Sequence, residues 1–251
     1  MSDPLADLAS LPGVPSAVAA ATAAVDVVLR DRGLRQIDGQ LRVRALQAGA
    51  EASAGLTDDR DRWQPGALRL ASELTALAGV IRAAPAQALA RAHAVVARGV
   101  VPDDQLGRVR DDPAIARRMG ELAELLARPT AAPAIVLAAV VHAEIATLGA
   151  FGAASGLVAR FSEHLVLVAS GLDPYGVVVV EAGHAADPVR YRAGLAGYAA
   201  AGGPGVSGWI IQCAAAVGRG AELSPVAVTD RGVLEARGTT PLDPRGRDDR
   251  T

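Results

Sequence analysis

Apolar residues recur at three- and four-residue intervals through Ala17 to Leu29, Leu41 to Ala52, Ala67 to Ile81, Ala86 to Ala97 and Ala114 to Leu126. That spacing puts them on one face of a helix with 3.6 residues per turn. The stretches are divided by Asp31 to Gly33, by the charged run Thr57 to Gln64 with Pro65 opening the next segment, by Pro85, and by Gly99 to Gly107. These are residue types that start or stop helices. The second half predicts a helix from about Ala134 to Leu148, a short Gly/Ala turn, and a helix from about Ala154 to Ser170 that Gly171 stops. Together they form a helix-turn-helix hairpin in the middle of the chain. Val177 to Val180 reads equally as a short strand or as extended loop, and helices resume near Pro188 to Ala200 and Gly208 to Val217.

The pattern therefore predicts an all-α fold. Residues 1–222 read as one helical domain, of which 1–62 are its N-terminal helices. Residues 223–237, with Val226-Ala227-Val228 and Val233-Leu234 on either side of a turn, read as a marginal β-hairpin or extended segment. Residues 238–251 are Thr, Pro, Gly, Asp and Arg for the most part, cannot bury a core, and are expected to be a disordered tail. No repeat of solenoid length is present.

Composition then removes whole classes of function. The 251 residues are 51% hydrophobic with a formal net charge of -2, so the chain can build a core and has no bulk attraction for nucleic acid. It contains no lysine and no asparagine, which excludes a phosphate-binding P-loop lysine, a Schiff base, a Ser-Lys pair and N-glycosylation. Its use of Ala and Arg instead fits a GC-rich bacterial genome. Cys213 is the single cysteine, so neither an intrachain disulfide nor a zinc site of paired cysteines can form. With no basic flank or apolar run at the N-terminus, the expected location is cytoplasmic. Between Ala131 and Ala159 the only ionisable residues are His142 and Glu144, but the apolar run Ala131 to Val141 is too short for a membrane span, and a buried helix is expected.

The four histidines, His93, His142, His164 and His184, show no i, i+4 pairing and no dense carboxylate cluster in the sequence, so no metal site is expected. His93 and His142 lie in apolar helical stretches, where a hydrogen-bonded structural role is the common outcome. Gly203 to Gly208 matches a dinucleotide-binding G-x-G-x-x-G, yet a helix precedes it and no βαβ unit surrounds it; it reads as a helix-to-helix turn. The turn Gly149-Ala150-Phe151-Gly152-Ala153-Ala154-Ser155-Gly156 ends at a helix N-terminus. Gly152, Ser155 and Gly156, with Arg160 one turn on, make a candidate anion or nucleotide loop. The same residues also fit a small-residue joint between two buried helices.

Around that turn other features fall in a recognisable order. Ala92-His93 precedes Gly107-Arg108-Val109-Arg110, Ala138-Ala139-Val140-Val141-His142 precedes the turn, and Tyr191 to Leu195 and Trp209-Ile210 follow it. This order resembles the Fic/DOC (Fido) family of AMP-transferring proteins, across roughly residues 10 to 220. The family loop, His-Pro-Phe-x-Asp/Glu-Gly-Asn-Gly-Arg-x-x-Arg, laid from Gly149 to Arg160 keeps Phe151, Gly156 and Arg160. The family's inhibitory helix, Ser-x-x-x-Glu-Gly, resembles Ser53 to Asp58, with Thr57 in place of the Glu.

The resemblance implies a Fido-like helical domain, and the departures from it imply degeneracy. Gly149 stands where the family has its base, Ala153 where it has the acidic metal holder, Ser155 where it has Asn, and Leu157 where it has the first Arg. What remains suits folding: Phe151 as a core anchor, Gly156 for a tight turn at positive φ, and Arg160, whose family role is the terminal phosphate or a salt bridge to the inhibitory Glu. On this basis Gly149 to Leu157 is expected to act as a packing joint in which the Ser155 side chain matters little. The expected function is a catalytically degenerate binding or regulatory module with a protein partner, no cofactor and at most weak ATP binding, self-association remaining open. The alternatives are a divergent nucleotidyl transferase with His93 or His142 as base, and a nucleotide sensor using the loop and Arg160.

Overall fold

The structure, a computed structural model, describes residues 3–30, 39–200 and 203–227. Helix starts follow local capping chemistry. Asp3, Asp112 and Asp187 each precede a proline, and each carboxylate accepts a backbone N–H of the helix it begins. Proline at the first helical position loses no intrahelical bond, so Asp-Pro is a strong start signal. These caps open α1 (Pro4–Ala9), α7 (Pro113–Ala127) and α11 (Pro188–Ala199). The other helices are α2 (Val14–Arg30), α3 (Gly39–Gly55), α4 (Arg60–Ser72), α5 (Leu74–Ala78), α6 (Pro85–Ala97), α8 (Ala134–Leu148), α9 (Ser155–Ala169), α10 (Val180–Ala185) and α12 (Gly203–Glu222).

At the centre, α8 is buried from Ile135 to Ala143, apolar there except at His142, and α9 packs along it. A helix stretch buried on all its faces must be covered on every side. The cover comes from α12, α11, α7 and α1 around α8, and from α3 to α6 and α10 around α9. Trp209 of α12 ties the layers together, its Nε1 donating to the Ala139 carbonyl of α8 at 2.8 Å. Buried residues from Leu5 to Val226 form one connected core. No helix among the described residues is long and apolar enough to cross a membrane.

Several local expectations need correcting. Pro65 lies inside α4, which starts at Arg60 because the Asp59 carboxylate accepts from Arg62 N. The segment read as Ala67 to Ile81 is broken after Ser72 into α4 and α5. Gly203 to Gly208 is the first part of α12 and not a turn; Pro204 is tolerated there because N–H groups in the first turn have no helical acceptor. No strand exists among the described residues. Val177 to Val179 is buried and lies in no regular element, and Val180 already begins α10. The hairpin expected over 223–237 lies outside the described residues from 228 on, as does the tail 238–251, while Pro225 to Ala227 is helical.

Candidate functional site

The α8–α9 turn is built from its own backbone. Gly149 ends α8 with φ +59°, a left-handed conformation that costs a residue with a Cβ about 1 kcal/mol or more. Gly152 has φ +57°. The N–H groups of Gly149, Ala150, Phe151, Gly152, Ala154 and Ser155 all donate within the turn or to the last turn of α8. These N–H groups of the turn are thus engaged within the protein. Gly156, expected at positive φ, sits instead in the first turn of α9, where a Cβ would stand 3.1 Å from Arg160 Nη1. Its smallness makes room for the guanidinium.

Ser155 closes this turn and is not idle. Its Oγ accepts from Phe151 N at 2.9 Å and donates to the Gly152 carbonyl at 2.7 Å, out of solvent. Ser155→Ala leaves a buried N–H without an acceptor, so it is expected to lower unfolding free energy by about 1–2 kcal/mol. Urea titration with near-wild-type stability would show that the clasp is unimportant.

Two walls bound the turn. Arg110 N donates to the Ala150 carbonyl at 2.9 Å, and its guanidinium would lie 3.3 Å from a Cβ placed on Gly149. Beyond Phe151 lies a cleft of about 430 Å³ between α6 and α7, lined by Leu89, Val109, Met119 and Arg108 among others. His93 is buried with its ring 4.8 Å from that of Phe151, and neither of its nitrogens has a hydrogen-bond partner. Burial pushes its pKa down. Gly152 and Ala153 are exposed, whereas Leu157 is buried.

Arg160 lies against Gly156 and reaches from there to α3 and α11. Its Nε donates to Ser53 Oγ, Nη2 to the Ser53 carbonyl and Nη1 to the Tyr191 hydroxyl, each at 2.9 Å. The guanidinium also lies 5.6 Å from the Tyr191 ring centre. The residue of α3 that meets it is therefore Ser53. Thr57, expected at the inhibitory position, lies beyond the end of α3 and donates to its own Ala54 carbonyl at 2.6 Å.

Behind Arg160 is a polar network that the sequence did not reveal. Glu163 Oε2 contacts His142 Nδ1 at 2.5 Å and His184 Nε2 at 2.7 Å, while His142 Nε2 meets the Tyr191 hydroxyl at 2.9 Å. Burial alone would raise the Glu163 pKa, but His184 and His142 outweigh it and hold the carboxyl down to about 2. Burial pushes His142 down, against the pull of Glu163. Next to this, His164 Nδ1 meets Glu181 Oε1 at 3.1 Å, and its Nε2 lies 3.5 Å from Asp173 Oδ2. Burial opposes the charge there, but Glu181 and Asp173 push His164 up to about 10. Asp173 also accepts from Val177 N and Val178 N, which fixes the segment before α10.

Three histidines therefore stand among carboxylates, contrary to the expectation from spacing alone. The signal in the sequence was Arg160, Glu163 and His164 lying within the apolar run Leu157 to Leu167 of a helix expected to be buried. A buried helix carries such groups only where other elements supply their partners.

No protein-family model matches this sequence, and no curated protein matches it. The architecture does match a solved structure, that of a Fic family protein from Desulfovibrio desulfuricans G20. Identity is 15%, the TM-score is 0.61, and the match covers 90% of this chain and 76% of that one. The chain has the Fic-type helical fold.

Proposed function

We propose that this protein is a Fic-type domain without AMP-transferase chemistry, working in the cytoplasm as a binding or regulatory module for another protein. The observation that carries this reading is Arg160. Three of its five N–H donors are bonded to Ser53 and Tyr191, and the side chain is buried, so it is spent on holding α3 and α11 and is not presented to a phosphate in solvent. The base position supports the same view: Gly149 has no proton acceptor, and Arg110 lies over the space a side chain would take. His142 cannot substitute, since both of its nitrogens are engaged inside the core. Nucleotide affinity is correspondingly weak, millimolar at best, on the order of 4 kcal/mol.

A divergent transferase is the second reading, and His93 favours it, with two unpaired nitrogens beside the turn at Phe151. Incubation with labelled ATP and magnesium decides between the two. The expected result is no label on the protein or on candidate targets, and none from Gly149→His, because restoring a base restores neither metal ligand nor phosphate contacts. A positioned base is worth about 10²–10⁴-fold. Label transfer that disappears in His93→Ala would favour the second reading; transfer that survives it would overturn the degenerate reading altogether.

A further inference from the structure

The α8–α9 hairpin and two helices that close over it bring four different donor side chains to one point. His142 comes from α8, Glu163 from α9, His184 from α10 and Cys213 from α12, and one donor atom of each lies within 4.8 Å of all the others. We propose that these four residues are a structural binding site for a borderline-soft divalent cation, with zinc(II) as its natural occupant.

The donor set argues for this class of ion. Two imidazole nitrogens, a thiolate sulfur and a carboxylate oxygen suit tetrahedral zinc, whereas magnesium and calcium prefer oxygen alone. Charge balance points the same way. The Glu163 carboxylate and the Cys213 thiolate, once its S–H proton has gone to solvent, neutralise a dication, which is the condition for placing an ion among apolar neighbours. All four side chains are buried, as are the surrounding Trp209, Ile210 and Val217.

The outer contacts are those that orient a ligand imidazole. The far nitrogen of His142 is held by the Tyr191 hydroxyl, which Arg160 fixes in turn; such outer hydrogen bonds set the tautomer and aim the inner nitrogen. His184 is braced by the Trp209 ring, stacked 5.9 Å away with planes 8° apart. Two atoms of the cluster, Glu163 Oε1 and His184 Nδ1, are buried without a hydrogen-bond partner. A carboxylate oxygen in that condition is costly unless a cation or proton covers it.

The site has four ligands from the protein and no open position, the pattern of a structural centre as opposed to a catalytic one. It stands on its own geometry, whatever the chemistry of the α8–α9 turn. Being closed on all sides, it takes up metal as α10 and α12 dock, so the test is made during refolding. Full-length chain is denatured, refolded with zinc(II) or with a chelator, desalted and assayed for metal and thermal midpoint. One equivalent of retained zinc is expected, with the chelator-refolded protein melting roughly 10 °C or more lower. Refolding with cobalt(II) should give thiolate-to-cobalt charge-transfer absorption. Cys213 is the only thiol in the chain, so that band assigns the ligand without recourse to a variant, and Cys213→Ala should abolish it. Wild-type protein that refolds with the same midpoint in chelator and keeps neither ion would overturn the proposal, as would zinc retained equally by Cys213→Ala and His184→Gln.

Discussion

Gly183→Ala is expected to destabilise the protein by at least about 3 kcal/mol, which for a chain of this size lowers the thermal midpoint by roughly 6–12 °C. A Cβ on Gly183 would stand 2.0 Å from the Ala216 carbonyl oxygen and 2.7 Å from its carbon. Both atoms belong to the backbone of α12, so no side-chain rotation relieves the overlap; α10 must move away. The movement carries His184 with it, because the two residues are adjacent on α10. Loss of fold stability and loss of the His184–Glu163 contact should therefore appear together. Gly197→Ala is the matched control: it lies in α11 with nothing within 4 Å of its added methyl, and helix propensity alone should leave it neutral or slightly stabilised. A midpoint for Gly183→Ala within a degree or two of wild type would mean that the α10–α12 crossing is not as close as described.

The second large effect is expected at Arg160. Arg160→Met keeps most of the buried volume but removes the three bonded donors, leaving the Ser53 hydroxyl without its partner, the Ser53 carbonyl with only the Leu56 N–H, and the Tyr191 hydroxyl with only His142. The expected loss is about 2–4 kcal/mol, with Arg160→Ala worse because a cavity is added. Arg160→Lys should recover little, since a single ammonium cannot replace a planar fork that reaches two helices. Chemical denaturation measures this directly. The outcome has functional meaning as well, because an arginine that served a bound phosphate could be removed with little change in stability. If Arg160→Ala unfolds at the wild-type denaturant midpoint and instead abolishes measurable ATP binding, the degenerate reading gives way to a nucleotide sensor.

The difference between these two residues reflects the kind of information each carries. Arg160 stood out in the sequence, as a charge inside a helix expected to be buried, but its partners did not. Ser53 lies 107 residues away and Tyr191 lies 31 away. The resemblance assigned the inhibitory position to Thr57 by motif spacing, whereas α3 ends at Gly55 and presents Ser53 one turn earlier. Gly156 was similarly recognised as important for the wrong physical reason, since its role is space for a guanidinium and not a left-handed turn.

The sequence alone determined the helices and the central hairpin. Those features rest on interactions that are local in the chain: 3.6-residue apolar periodicity, aspartate caps before proline, and glycine where a left-handed turn is needed. Even the errors at Pro65 and at Gly203 to Gly208 were errors of a turn or two at helix ends, where propensity competes with tertiary contacts. Only the tertiary structure decided that His142, Glu163, His184 and Cys213 meet, because their meeting depends on how closely four helices cross. That distance is set by backbone packing at Gly183 and Gly220, where α10 and the segment before it lie against α12 with no room for a methyl group. Burial then makes the meeting obligatory, since each of these polar groups, removed from water, must find its partners in the other three helices or in an ion held between them.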